Sequence, residues 1–148
     1  MKFVIQRVNH ASLSIDRKER AHIEKGLLVF IGISETDTKE IADVMVRKLT
    51  HMRIFEDEDG KTNLDLQAVS GNILLVSQFT LYANCKKGNR PSFTHAAKPD
   101  LAIPLYEYII ENVRDVFPDV QTGEFGADMK IELLNDGPFT IVLDSEQL

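Results

Sequence analysis

The stretch GLLVFIGIS, residues 26–34, decides the fold of this chain. Apolar residues fill it almost completely, with a glycine at its start and a serine at its end. A short apolar run bounded in this way is typical of a strand that is covered on both faces. The sequence therefore predicts a central β-strand here, and the other elements are expected to pack around it.

Strand patterns precede this central strand and return at the end of the chain. Residues 2–8 are rich in β-forming residues, and residues 11–15 alternate between apolar and polar at the period of a half-buried strand. Residues 129–134 alternate in the same way. The sequence NDGP at 135–138 is expected to turn the chain into a last strand at residues 139–144.

Two helices are predicted between these groups of strands. Asp37 with Glu40 three residues later resembles a capping box, and an apolar helical face follows it. Asp100 is the expected cap of the second helix, which tolerates Pro104 if that residue lies in the first turn. Residues 53–55 are expected to form a short strand, and residues 56–61 a solvated turn.

The order of these elements predicts an α+β fold in one domain, residues 1–148. The helices do not alternate regularly with the strands, so we expect a mainly antiparallel sheet with two helices packed on it. A chain of 148 residues with 43% hydrophobic content is large enough for one packed core.

Composition excludes several classes of protein. The net charge of −6 argues against a protein that coats nucleic acid or an anionic membrane, because such binding needs dense Lys and Arg. Cys85 is the single cysteine and the four histidines are scattered, so neither a disulfide nor a zinc site is expected. With no leader pattern and no long apolar run, the sequence indicates a cytoplasmic protein without a membrane partner.

The stretch LLVSQFTLYA, residues 74–83, places polar groups in an apolar run. We expect residues 72–82 to form one long buried strand. Ser77 and Thr80 suggest a hydroxyl nucleophile, yet such a group needs a base within hydrogen-bond reach, and the sequence shows none. The alternative is that they bond neighbouring backbone. Gln78, if buried, has an amide that must find partners.

Three other features have both a structural and a functional interpretation. The loop with Lys86, Lys87 and Arg90 is either a solvated turn or a contact for a phosphate backbone. Gly137-Pro138 is, from pattern alone, an ordinary hairpin turn. Arg7, inside an apolar strand, must either reach solvent or donate to carbonyls and carboxylates.

Four segments together carry a resemblance to a known family: IQRV at 5–8, SQFTL at 77–81, KGNRPSF at 87–93 and NDGPFT at 135–140. In order and spacing they resemble the D-aminoacyl-tRNA deacylases over nearly the whole chain. The resemblance implies a cytosolic homodimer with a barrel-like sheet. It also implies hydrolysis of the ester between a D-amino acid and the 3′ end of tRNA, with glycyl-tRNA as a second substrate. We expect no cofactor and no metal site.

The resemblance also assigns roles to residues. The Gly137-Pro138 bond would be cis, and its hairpin, held by Arg7, would reach into the partner subunit's site and exclude L side chains. Backbone donors near SQFTL and the substrate's own 2′-hydroxyl would replace a protein nucleophile. Phe139 departs from the family's Val. The catalytic candidates are Ser77, Gln78 and Thr80, and the substrate-binding candidates are Arg7, Phe79, Asn135, Gly137 and Pro138.

Two other functions remain open at this stage. A small-molecule esterase or amidase would use Thr80 as its nucleophile and would need no ribose. A nucleic-acid interaction protein would use Lys86, Lys87 and Arg90 and would bind uncharged RNA or DNA, with affinity that falls steeply in salt.

Overall fold

The computed structural model describes all residues, Met1 to Leu148, and confirms the central strand. This strand, β3 (Gly26–Gly32), lies inside a six-stranded sheet. Every residue of β3 is buried except Phe30, which is half-buried. The apolar run therefore marks a strand with neighbours on both sides and side chains packed on both faces.

Strand β1 (Lys2–Ile15) organises the sheet. Its first half pairs antiparallel with β3 and its second half with β2 (Lys18–Ile23). Strand β8 (Met129–Asp144) runs antiparallel along β1 from end to end. The sheet is nearly closed into a barrel, so the predicted α+β class with a mainly antiparallel, barrel-like sheet and two packed helices is confirmed.

Two strand pairings are parallel and were not predicted. Strand β6 (Asn72–Ser77) runs parallel to β3, and β7 (Gln121–Thr122) runs parallel to β6. Parallel neighbours need a long crossover, and the two helices lie within these connections. Strands β4 (Phe55–Glu56) and β5 (Thr62–Leu64) form a separate small sheet, so the strand predicted at 53–55 begins two residues later.

Both helices pack on one face of the sheet, over the larger hydrophobic core. Helix α1 (Lys39–Thr50) is capped by Thr38, whose hydroxyl accepts from the Ile41 amide at 3.3 Å. The predicted cap Asp37 is wrong, because its buried carboxylate instead accepts from the Ser34 amide and the Met1 amino group. No helix combines the length and hydropathy needed to cross a membrane.

Helix α2 (Pro99–Val116) begins before its predicted cap. Lys98 precedes the helix, Pro99 occupies its first position, and Asp100 lies within the first turn. Proline fits this first position because its fixed φ suits a helix and no N–H is needed there. Pro104 consequently lies in the helix interior, not in the first turn, and it is exposed.

The face of the sheet opposite the helices is only partly covered. A second, smaller core fills the part where β2 and the distal half of β1 curl over. A row of apolar residues crosses four strands in register, from Val142 through Val4 and Phe30 to Val76, and its last two residues pack in this second core. Val142 is 63% exposed. We call this row the apolar face.

Candidate active site

The polar stretch after β6 does not continue as a strand. Strand β6 ends at Ser77, and Phe79–Tyr82 forms a 3-10 turn that packs over β3. A Cβ atom on Gly32 would lie 2.8 Å from the Leu81 Cβ, so only glycine leaves room for this turn. The predicted strand at 72–82 is therefore wrong beyond Ser77, because the turn lies on top of the sheet instead of extending it.

The turn displays the polar groups of the SQFT sequence at its start. The Gln78 side-chain amide donates to the Thr80 hydroxyl at 2.5 Å, and Gln78 is half-buried, not fully buried as expected. The N–H groups of Phe79 and Thr80 begin the turn and so have no partner within it. An amide cannot take up a proton, so the contact with Gln78 orients Thr80 without activating it.

A second segment faces this turn across a cavity of about 290 Å³. Residues 76–79 form one wall, and residues 125–129 with Ile131 form the other. Phe125 packs against Tyr106, whose hydroxyl donates to the Leu75 carbonyl, and burial raises the pKa of that phenol. Sequence reasoning missed this second wall, which no motif marks.

An aromatic pair and a basic loop come after the first cavity wall in the chain. Phe79 is 55% exposed and meets Phe93 edge-on, with ring centroids 5.1 Å apart. The loop between them is pinned by the bridge between Asn84 and Ser92. Its basic side chains, Lys86, Lys87 and Arg90, are all exposed.

The segment NDGPFT is a bulge in a strand and not a hairpin turn. Asn135 pairs with Val8 and Thr140 pairs with Gln6, so both sides of the segment lie against the same strand, β1. The chain continues in one direction, and residues 136–139 loop out opposite Arg7. We call these four residues the Gly-Pro bulge. Its Gly137-Pro138 peptide bond is cis, as the resemblance implied.

Asn135 closes the bulge from its base. Its side-chain carbonyl accepts from the Phe139 amide at 2.7 Å, and its amide donates to the Phe139 carbonyl and the Gln6 side chain. Gly137 has φ of +145°, and a Cβ there would lie 2.9 Å from the Phe139 nitrogen. An asparagine and a glycine are therefore both required by the shape of this bulge.

Arg7 holds the bulge from the opposite strand. It is 6% exposed, and its Nε donates to the Asp136 carbonyl at 3.0 Å while one terminal nitrogen donates to the Ile54 carbonyl at 2.6 Å. Its guanidinium lies 4.5 Å from the centre of the Phe139 ring. Phe139, where the family pattern has Val, thus adds a cation–π contact that helps Arg7 to hold the bulge.

The bulge and the polar turn lie apart within one chain. Lys2 pairs with Gly32, beneath the turn, whereas the bulge lies beside Arg7. Five residues along a strand span about 17 Å. The structure thus groups Ser77, Gln78, Phe79 and Thr80 at one place and Arg7, Asn135, Gly137 and Pro138 at another.

Comparison with protein families gives one match over most of the chain. The family model described as D-Tyr-tRNA(Tyr) deacylase matches residues 4–144. A D-aminoacyl-tRNA deacylase of Parabacteroides distasonis is 53% identical over 147 residues, covering 99% of this chain and 98% of the relative. One of the same name from Fusobacterium nucleatum is 53% identical over 146 residues, covering 99% and 97%.

Two solved structures resemble this one closely. The c-Myc DNA Unwinding Element Binding Protein superposes with a TM-score of 0.92 at 39% identity, covering 97% of this chain and 98% of the other. A probable eukaryotic D-amino acid tRNA deacylase superposes with a TM-score of 0.83 at 21% identity, covering 96% and 97%. The second likeness concerns the fold alone.

Proposed function

Because this chain belongs to the D-Tyr-tRNA(Tyr) deacylase family, it is a hydrolase of the aminoacyl-tRNA ester bond, and we propose that two subunits together form its chiral site. Its activity is that of a D-aminoacyl-tRNA deacylase, which removes D-amino acids from tRNA before translation can use them. The observation that carries the proposed site is the exposed polar turn, Phe79–Tyr82, beside a cavity with an apolar second wall.

The cavity between the turn and residues 125–129 is proposed to take the terminal adenosine of the tRNA. Six of its ten lining residues are hydrophobic, which suits the faces of a base and ribose. Phe79 offers an exposed ring for stacking, and the basic loop at Lys86, Lys87 and Arg90 is placed to meet phosphates of the strand that leads away. The ester carbonyl would then lie beside Thr80.

The hydrolysis is proposed to proceed without a covalent intermediate on the protein. Water attacks the ester carbonyl, and the bond between the carbonyl carbon and the ribose oxygen breaks. The products are the free D-amino acid and a tRNA with its ribose hydroxyl restored. The neighbouring 2′-hydroxyl of the substrate serves the proton transfer. The N–H groups of Phe79 and Thr80 and the Thr80 hydroxyl bind the developing oxyanion or orient the ester.

The esterase alternative with a Thr80 nucleophile is not favoured. The Thr80 hydroxyl accepts a hydrogen bond from Gln78, and no histidine or carboxylate is hydrogen-bonded to it. A hydroxyl in this setting keeps its ordinary low nucleophilicity.

The homodimer is proposed to form through the apolar face. The polar turn lies over this face at the Lys2 end, the Gly-Pro bulge leaves β8 near Gln6, and exposed Val142 lies between them along β8. A two-fold axis that passes between the polar turn and the bulge brings the turn of each subunit over the bulge of its partner. Two copies joined in this way place each bulge beside the other subunit's Thr80, and two complete sites result.

The bulge is proposed to sense the handedness of the substrate. An enzyme that accepts many side chains of one hand must block the direction in which the other hand projects. Backbone held by Arg7 and Asn135 suits this better than a mobile side chain, so the carbonyls of Gly137 and Pro138 would lie beside the substrate's α-carbon. Glycine has no side chain to block, so glycyl-tRNA is proposed as a second substrate. Because its substrates serve translation, the protein is proposed to act in the cytoplasm.

The experiment that tests this function compares the two hands of one amino acid. D-Tyr-tRNA and L-Tyr-tRNA are incubated with the protein, and release of tyrosine is followed under single-turnover conditions. Rapid hydrolysis of the D form with the L form intact supports the proposed site. Equal rates for the two forms would contradict the role of the bulge.

A further inference from the structure

A second, larger cavity lies on the far side of the polar turn. Its volume is about 600 Å³, which is within the range of small-ligand sites. One wall is the turn at residues 34–36 and the other is the segment at residues 82–86. The bridge between Ser34 and Ala96 places His95 beside the first of these walls. Apart from Lys86, no residue that lines this cavity has a role in the function described above.

Most of the lining is polar and carries both signs of charge. Lys2, Lys86 and His95 supply the basic groups, and Glu35 and Glu146 supply the acidic ones. Only 3 of its 11 lining residues are hydrophobic, so an apolar ligand is unsuited to it. A bare anion would meet two carboxylates, whereas a ligand with an anionic part and a hydrogen-donating part fits both kinds of group.

Three contacts position the charged groups of this cavity, one of them with an aromatic ring. The Lys2 ammonium lies 5.1 Å from the centre of the Tyr82 ring and 3.9 Å from the Asp144 carboxylate. The His95 ring nitrogen lies 3.7 Å from the Glu35 carboxylate. Burial raises the pKa of the Tyr82 phenol, so this ring stays neutral. The cavity thus presents a basic group, a carboxylate and a ring together.

Local charge differs sharply from that of the whole chain. Residues 84–98 contain Lys86, Lys87, Arg90 and Lys98 with His95 and no acidic residue, although the net charge of the protein is −6. This segment follows the polar turn closely in the chain, and its residues 84–86 with His95 line the larger cavity. The four residues of that turn span about 8 Å. If the terminal nucleotide of a single-stranded RNA lies in the first cavity, the adjoining nucleotide would therefore reach the second cavity.

We infer that this cavity binds the nucleotide that precedes the terminal adenosine of the substrate tRNA. This inference rests on the function proposed above. The bridging phosphate would lie at Lys2, Lys86 and His95, and the base would lie near Tyr82. Transfer RNA ends in C-C-A, and the exposed amine of cytosine is a donor that carboxylates such as Glu35 and Glu146 accept. The mixed charge of the cavity matches a cytidine nucleotide better than it matches free phosphate.

The test uses D-tyrosyl esters that differ by one nucleotide. The full-length protein is assayed with D-tyrosyl-adenosine and with D-tyrosyl-CpA, and the ratio of their kcat/KM values measures the gain from the added nucleotide. We expect a gain of roughly tenfold or more in the wild-type protein. Lys2→Ala and His95→Ala should each reduce the gain to below about threefold. Lys2→Arg, which keeps the charge, should retain most of it.

Lys39→Ala is the matched control. The Lys39 ammonium lies 4.9 Å from the Tyr108 ring, a contact of the same kind on the helical surface away from this cavity. The ratio of kcat/KM values for the two esters in Lys39→Ala should equal that of the wild-type protein. The salt slope of KM for the CpA ester should also become shallower by roughly 0.7 in Lys2→Ala, the value for one phosphate contact on a single strand.

The outcomes separate this inference from the function on which it rests. If D-tyrosyl-adenosine is hydrolysed with preference for the D form but CpA adds nothing, the second subsite is wrong and the deacylase site stands. A gain that survives in both Lys2→Ala and His95→Ala would also overturn the subsite. If neither ester is hydrolysed with preference for the D form, the proposed function itself fails.

Discussion

Arg7→Lys tests the anchor of the Gly-Pro bulge. The guanidinium uses two different nitrogens to reach the Asp136 and Ile54 carbonyls, and its central carbon lies 4.5 Å from the centre of the Phe139 ring. A lysine has one nitrogen and no plane, so it cannot reproduce this arrangement. The charge is conserved, and only the geometry of donation changes.

The magnitude follows from the contacts that are lost. The Ile54 carbonyl is buried, and leaving it without a donor costs about 1–3 kcal/mol. Losing the cation–π contact between the guanidinium and Phe139 costs about 0.5–2 kcal/mol more. We therefore expect the free energy of unfolding to fall by about 2–4 kcal/mol and Tm to fall by about 5–10 °C.

The assay combines stability with stereoselectivity. The protein has no tryptophan, so urea unfolding is followed by far-UV circular dichroism. Arg53→Lys is the matched control, since Arg53 also donates to a carbonyl, that of Asn63, but at an exposed site. Its stability should change by less than about 0.5 kcal/mol. Below the unfolding range, Arg7→Lys should also hydrolyse L-Tyr-tRNA faster relative to D-Tyr-tRNA.

Two results would refute this reasoning. If Arg7→Lys and Arg53→Lys have the same free energy of unfolding, the buried donations do not stabilise the bulge. If Arg7→Lys is destabilised but keeps full discrimination between the two hands, the bulge is a structural feature without a role in selectivity.

Four further predictions concern the site, the interface and one surface pair. Thr80→Ala should unfold at the wild-type urea concentration but lose roughly tenfold or more in kcat/KM, whereas a purely structural Thr80 would give normal rates and lower stability. Gly32→Ala should push the polar turn off the sheet, lowering both stability, by about 1–3 kcal/mol, and deacylation; wild-type activity would contradict the packing at Leu81. Val142→Lys should give a folded, inactive monomer in analytical ultracentrifugation, while Val116→Lys, on the helical side, should stay dimeric; a dimeric Val142→Lys would rule out the apolar face as the interface. Glu24 raises the pKa of His22 by hydrogen bonding, so this pair stabilises the fold at low pH and stops doing so as pH rises through the raised pKa of His22. An NMR titration should show an ordinary pKa for His22 in Glu24→Gln.

The sequence predicted those parts of the fold that depend on local patterns. The apolar run at residues 26–34 reflects a strand buried on both faces, and the alternation in β1 reflects a strand buried on one face. Both strands appear as expected. The first helical cap was misplaced by one residue because Asp37 and Thr38 are both capping residues. The second was misplaced by two because the helix begins at Pro99 after Lys98, which makes no side-chain cap hydrogen bond.

The parts that failed depend on contacts between distant residues. Phe79 and Leu81 continue the apolar pattern of β6, and only the packing of Leu81 over Gly32 reveals that the chain turns there. The Gly-Pro bulge was predicted as a hairpin because no local signal shows that both its sides pair with β1. The second wall at residues 125–129 has no periodicity, so it could be found only from the structure.

Subunit complementation tests the shared site most directly. Thr80→Ala and a variant with Gly137 replaced by Val are each prepared, checked for folding and shown to be poorly active alone, and then unfolded together and refolded as mixed dimers. In a mixed dimer, one site combines an intact turn with an intact bulge. Random mixing should therefore restore about one quarter of wild-type deacylation of D-Tyr-tRNA. A mixture no more active than the two variants measured separately would show that each site is built within a single chain.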